Sequence, residues 1–159
     1  MTQLANADAS TVAEQLRNWN GKAVIQVIEH RGETTIVVPR ELLRATAEHC
    51  KKNPALEFNL LSDATCVDRF PVEPRFELNY HLVSIPRGAR LRLRTSVSSQ
   101  QPVIDSLCPL WTGANWLERE IFDLFGIHFE GHTDLRRILL PEEFQGFPLR
   151  RDFPVEGKR

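Results

Sequence analysis

The sequence predicts an α+β fold, a two-layer sandwich with helices on one face of a mainly antiparallel sheet, followed by an extended C-terminal arm. Three observations carry this reading. Residues 75–82 alternate strictly between apolar and polar side chains, and 91–97 do the same, which is the pattern of half-buried strands. Apolar residues at helical spacing recur in three separate places, over 12–19, 42–50 and 117–125. From Glu130 onwards apolar residues persist without a period, interrupted by Gly131, Pro141, Gly146, Pro148, Pro154 and Gly157.

In chain order, Thr11 with Glu14 forms a capping box, Val12, Leu16 and Trp19 follow as one helix face, and Asn20-Gly21 stops that helix. The Val- and Ile-rich run 23–30, the turn Arg31-Gly32-Glu33 and the run 34–38 read as a hairpin. Pro39 suits the first position of a second helix. Its inner face is Leu42, Leu43, Thr46, Ala47 and Cys50, and Asn53-Pro54 closes it. Residues 58–67 read as a loop leading into a short strand. Phe76, Leu78, Tyr80 and Leu82 face one way and Arg75, Glu77, Asn79 and His81 the other. Pro86-Arg87-Gly88 turns the chain into an antiparallel partner strand carrying Leu91, Leu93, Thr95 and Val97 on its inner face.

The chain has 159 residues, enough for one real core, with 42% hydrophobic and 26% charged residues. Residues 1–130 are read as the domain and 131–159 as the arm. A net charge of −1 exerts no bulk pull on nucleic acid or anionic lipid. The longest uninterrupted apolar run is three residues, as in Ile138-Leu139-Leu140, so no transmembrane helix is expected, and the N-terminus lacks the character of a signal peptide. Cys50, Cys66 and Cys108 are widely spaced and form no CxxC pair, which suits reduced thiols better than disulfides or an iron–sulfur site. No Gly-rich phosphate loop and no GxSxG elbow is present.

Charge and bulk concentrate in residues 115–137. On a helix over this stretch Leu117, Ile121, Phe122, Leu124 and Phe125 share one arc, while Arg119, Glu120 and Asp123 fall opposite, Arg119 and Asp123 as an i,i+4 surface pair. Glu118 lies inside the apolar arc. A carboxylate there must be capped, paired or functional, and a backbone N–H at the helix start or an arginine is the expected partner. Gly126 ends the helix in the left-handed region and Gly131 marks a second tight turn. Glu118, Glu120 and Asp123 with His128 and His132 could suggest a metal or acid–base centre, and the two histidines are four apart, but the two glycines rule against one helix presenting both to a metal. Histidines hydrogen-bonded in a turn are therefore expected. The arginine run Arg87, Arg90, Arg92 and Arg94 lacks interleaved aromatics and reads as a solvated strand face or one against an acidic partner. Trp19, Trp111 and Trp116 read as core or interface.

The arm carries Phe144, Phe147, Leu149 and Phe153 as anchors. Each buried Phe contributes about 1.5–3 kcal/mol, whereas ordering each residue costs about 1–2 kcal/mol. Such an arm must borrow a surface. From the residues alone that surface is equally its own domain or another protein's; the resemblance described next implies neighbouring subunits rather than residues 1–130.

The run Glu118-Arg119-Glu120, Asp123-Leu124-Phe125-Gly126-Ile127, Gly131-His132 and Asp134-Leu135-Arg136-Arg137-Ile138-Leu139 resembles the signature of the C subunit of bacterial NADH:quinone oxidoreductase, respiratory complex I, the counterpart of the mitochondrial 30 kDa subunit. Gly32-Glu33-Thr34-Thr35, Leu60-Leu61-Ser62-Asp63, Tyr80-His81-Leu82, Gly146 and Pro148-Leu149-Arg150-Arg151-Asp152-Phe153-Pro154 extend the resemblance over nearly all of 21–154. It implies a non-catalytic subunit of the hydrophilic arm of a proton-translocating complex, peripheral on the cytoplasmic side of the bacterial inner membrane. It also implies no cofactor in this chain, with FMN, iron–sulfur clusters and quinone held by partner subunits. Its implied neighbours are the complex I subunits D, B and I, with no nucleic acid and only indirect contact with the membrane. The signature and partner-interface residues so implied are Glu118, Arg119, Glu120, Asp123, Gly126, Gly131, His132, Arg136, Arg137, Phe147, Arg150, Arg151, Asp152 and Pro154. Catalytic and metal residues are expected to be absent, and the purified chain is expected to hold no iron, zinc or flavin. Related complexes, among them membrane-bound hydrogenases, use equivalent subunits, which is the alternative. A nucleic-acid module is the weaker one.

Overall fold

The computed structural model describes residues 5–6, 9–154 and 156. Its elements run β1 (Ala5–Asn6), α1 (Ala9–Trp19), β2 (Gln26–His30), β3 (Glu33–Val37), a 3-10 turn (Arg40–Leu42), α2 (Leu43–Lys52), β4 (Leu60–Asp68), β5 (Phe76–Ser84), β6 (Ala89–Val97), β7 (Val103–Asp105), α3 (Ala114–Phe125) and β8 (His128–Glu130). The main sheet has the order β2-β3-β6-β5-β4, and β1 adds to the same edge of β6 as β3. The pairs β2–β3, β4–β5 and β5–β6 are antiparallel; β3–β6 and β1–β6 are parallel. The α+β sandwich is the predicted one.

The alternating strands form the centre of the sheet, with Phe76 opposite Val97 and Leu82 opposite Leu91. Phe76, Leu78, Tyr80, Leu82, Leu91, Leu93 and Val97 are buried in one core with Leu16 of α1, Leu43, Ala47 and Cys50 of α2, and Ile121 and Phe125 of α3. Arg31 and Gly32 both have positive φ, 49° and 76°, which suits the tight β2–β3 hairpin. On the opposite face Arg92 pairs with Glu33 at 2.6 Å and Arg94 with Glu77 at 3.3 Å, while Arg87 lies 3.4 Å from Glu57. The arginine run is thus largely matched by the chain's own acids.

Three local expectations are corrected. Residues 58–67 are not a loop but mostly β4, a nine-residue strand. A bulge between Leu61 and Asp63 shifts the register, so Leu61 and Ala64 both face the core and the period of two is broken in the sequence. α1 begins at Ala9, so Thr11 lies inside its first turn instead of capping it. Pro39 precedes the 3-10 turn, extended at φ −61° and ψ 144°, and α2 starts only at Leu43.

The short strands β7 and β8 pair in parallel, Ile104 beside Phe129, both buried. Ser106 N–H extends this ladder to the Glu130 carbonyl at 2.8 Å. The pairing sets the loop after β7 against α3, where the charged stretch lies.

Candidate functional site

α3 presents its apolar residues to the core as predicted and ends at Gly126, left-handed at φ 72°. Glu118 is fully buried. Its Oε1 accepts the Leu107 N–H at 2.6 Å, and its Oε2 accepts the Ser106 hydroxyl at 2.6 Å and the Cys108 thiol at 3.4 Å. The partner is a backbone N–H, as expected, but of the loop before the helix and not of the helix start. Burial pushes the Glu118 carboxyl up, against these donors. Glu118→Gln presents an amide N–H₂ to groups that themselves donate. It should cost about 1–3 kcal/mol, read from the urea midpoint of the purified chain; an unchanged midpoint would refute the role.

The supposed outer face of α3 is also covered, which corrects the expected Arg119–Asp123 surface pair. Asp123 is fully buried. Its Oδ2 accepts three consecutive N–H groups, from Ile138 at 3.0 Å, Leu139 at 2.8 Å and Leu140 at 2.9 Å, and its Oδ1 accepts from Arg137 Nη1 at 2.6 Å. Burial raises the Asp123 pKa, but these donors outweigh it and hold the carboxyl below its ordinary value. Arg119 donates instead to the carbonyls of Arg136 and Arg137, both at 3.1 Å. Arg137 reaches on to the carbonyls of Phe144 at 3.0 Å and Gly146 at 3.2 Å.

The arm therefore lies on its own domain as a strap, contrary to the expectation that its surface belongs to neighbours rather than to 1–130. The physical reason is the C-terminus of α3, whose last carbonyls need donors that the helix cannot supply. The strap supplies them. Arg137 Nη1 donates to the Asp123 carbonyl at 3.2 Å, Leu149 N–H to Leu124 at 3.2 Å and Arg150 Nε to Phe125 at 2.6 Å. Cations here also suit the helix dipole. Phe147 fits only because residue 126 is glycine, since a Cβ there would stand 2.5 Å from the Phe147 ring.

A ladder of alternating arginine and phenylalanine joins strap to sheet. Arg75 lies over Phe70 at 4.9 Å and Phe76 at 5.0 Å, Arg150 over Phe76 at 5.0 Å and Phe147 at 4.6 Å, and Arg137 over Phe147 at 5.7 Å and Phe144 at 6.0 Å. Phe144 then stacks on Phe153 with centroids 6.0 Å apart. At the sheet end Arg75 holds Asp68 through two bonds of 2.8 and 2.7 Å, and Asp152 of the strap through two of 3.0 and 2.6 Å. Arg151 adds its N–H to Asp68 at 2.8 Å and its guanidinium to the Phe70 carbonyl at 3.1 Å.

Of the residues singled out in the sequence, the structure brings Arg119, Asp123, Gly126, Arg137, Phe147, Arg150, Arg151 and Asp152 together at this seam. Glu120 and Pro154 are exposed, Gly131 makes a turn at φ 79°, and Arg136 is exposed with Asp134 at 3.1 Å. His132 is hydrogen-bonded in its turn, accepting the Asp134 N–H at 3.1 Å and lying 3.3 Å from the Asn115 carbonyl. His128 is exposed in β8. Sequence reasoning missed Ser106, Asp68, Phe70 and the structural role of Arg75, which the alternation assigned to a polar face.

Taken together, the seam is structural, with charged side chains holding backbone and strap. The family model for the 30 kDa subunit of respiratory-chain NADH dehydrogenase matches residues 36–159. The C subunit of the NADH-quinone oxidoreductase of Geotalea uraniireducens is 41% identical over 95% of this chain and 91% of its own. That of Roseiflexus sp. (strain RS-1) is 43% identical over 93% and 85%. A trypsin-resistant fragment (1–134) of Nqo5 superposes with a TM-score of 0.69 at 36% identity, covering 79% of this chain and 98% of the fragment. An archaeal membrane-bound sulfane sulfur reductase has a chain of the same fold, with a TM-score of 0.75 and 23% identity over 94% of this chain and 87% of its own. The chain belongs to the respiratory-chain NADH dehydrogenase 30 kDa subunit family, and is a subunit of complex I. No helix among the described residues is long and apolar enough to cross a membrane.

Proposed function

We propose that this chain is a non-catalytic scaffold of the hydrophilic arm of a proton-translocating NADH:quinone oxidoreductase, peripheral on the cytoplasmic side of the membrane. It keeps FMN, iron–sulfur clusters and quinone in partner subunits, and its strap and α3 dock on the complex I subunits D, B and I. The observation that carries this reading is the division of labour along the strap. Arg137 and Arg150 are turned inward onto α3, while Trp116 of α3 and Leu139 and Leu149 of the strap stay 61%, 62% and 51% exposed. Large apolar groups left outside a well-satisfied polar seam suit a protein partner.

The relative crystallised as a trypsin-resistant fragment supports a body that folds without its strap. Deleting residues 142–159 removes the Asp152–Arg75 contact and Phe147 but leaves the three N–H bonds to Asp123. The truncated chain should stay folded, melt somewhat lower than the full chain, and lose co-purification with its D-type neighbour. Full assembly with undiminished quinone reductase activity would refute the docking role. Collapse of the fold would make the strap a part of the core instead.

A further inference from the structure

Three metal-ligating groups meet beside the first half of α3 without serving the strap. A ligand atom each of Cys108, Glu118 and His132 lies within 4.8 Å of the other two. They come from the loop after β7, from α3 and from the turn after β8. We propose that they form a binding site for one divalent cation of the zinc class, with water completing the tetrahedron. The sequence placed Glu118 and His132 in one conceivable metal centre only together with Glu120, Asp123 and His128, and read Cys108 as a reduced thiol.

The Cys108–Glu118 spacing is close to that of a loaded site. Cys108 Sγ and Glu118 Oε2 are 3.4 Å apart. Two ligands on one tetrahedral zinc, with Zn–S about 2.3 Å and Zn–O about 2.0–2.2 Å, would be separated by about 3.6 Å. His132 is half-buried at a turn and would ligate through Nδ1, giving up the Asp134 N–H that this nitrogen accepts at 3.1 Å. The Asn115 carbonyl, 3.3 Å from His132 Nε2, is an outer partner of the kind that orients a ligating histidine. Cys108 and His132 both reach solvent, which leaves an entry path.

The charge balance points the same way. Glu118 is fully buried, its hydrogen-bond donors are a hydroxyl, a thiol and an N–H, and among the described residues no Lys or Arg forms an ion pair with it. A thiolate, a carboxylate and a neutral imidazole around a doubly charged ion sum to zero. One soft sulfur ligand with nitrogen and oxygen favours zinc over magnesium or calcium. A thiol ligates as thiolate, so metal binding releases its proton and uptake should strengthen as pH rises. Bound there, the ion would staple the loop after β7 to the turn after β8 across α3.

The test is a Co²⁺ titration of the purified, EDTA-treated full chain. Saturation at one equivalent is expected, with tetrahedral d–d bands and a thiolate charge-transfer band, both bleached by Zn²⁺. One equivalent of Zn²⁺ should also raise the melting temperature. Cys108→Ser should lose the charge-transfer band, and His132→Ala should bind at least roughly tenfold more weakly, the smallest loss seen even for an outer partner. Melts of the metal-free variants confirm that each is folded. The absence of saturable uptake, or spectra and affinities unchanged in both variants, would overturn the proposal.

Discussion

Asp123→Asn should lower the stability of the chain by about 3 kcal/mol, within the range for breaking a buried charge pair. For a chain of this length that corresponds to about 6–12 °C in melting temperature. The carboxylate is fully buried and accepts three consecutive backbone N–H groups as well as Arg137. The amide keeps one acceptor oxygen and turns an N–H₂ towards donors. Arg137 is only partly exposed, with 17% of its side chain accessible, and loses its counter-charge. Because the same residue starts the strap, tryptic cleavage after Arg137 and Arg150 should accelerate along with the fall in melting temperature. A variant that melts and digests like the wild type would remove Asp123 from its assigned role.

Arg75→Met should be comparably severe, at about 3 kcal/mol or more, because it leaves the buried Asp68 without its cation. It also releases Asp152 and two rungs of the aromatic ladder. Burial pushes the Asp68 pKa up, but the Arg75 hydrogen bonds and the N–H groups of Arg151 and Phe70 outweigh it and hold it at about 2, below an ordinary 3.8. A carboxyl depressed in the folded state contributes stability that is fully present above its unfolded value and is lost as pH falls through its folded value. The wild type should therefore lose about 1.5–2 kcal/mol between pH 4 and pH 2 from this group. Arg75→Met should lose less over the same window, since the main depressing partner is gone. Urea unfolding at a series of pH values measures both effects, and parallel pH profiles for the two proteins would contradict the assignment.

The strands and helices were legible wherever one face is buried and the other wet. The alternation at 76–82 and 91–97 and the helical spacing at 43–50 and 117–125 each correspond to an observed element with the predicted inner face. β4 was hidden because its bulge moves Leu61 and Ala64 onto one face with two positions between them instead of one. β7 and β8 were hidden because they are three residues long and pair across twenty-two intervening positions. Such pairing leaves no local pattern.

The sequence by itself determined that Glu118 is buried and needs donors, that Gly126 ends α3 left-handed, and that the chain carries a family signature centred on α3. These follow from local periodicity and from the backbone freedom of glycine. Only the tertiary structure decided where the charges of the signature go. Arg119 and Asp123 stand four apart on a face that looks solvent-exposed in a helical projection, yet both are covered by residues 136–140. Likewise Arg75 meets Asp152 across seventy-seven positions, and Cys108 meets His132 across α3. A periodicity reports which side of an element faces its own core, but carries no information about a later segment that folds back to cap the helix and cover its other side.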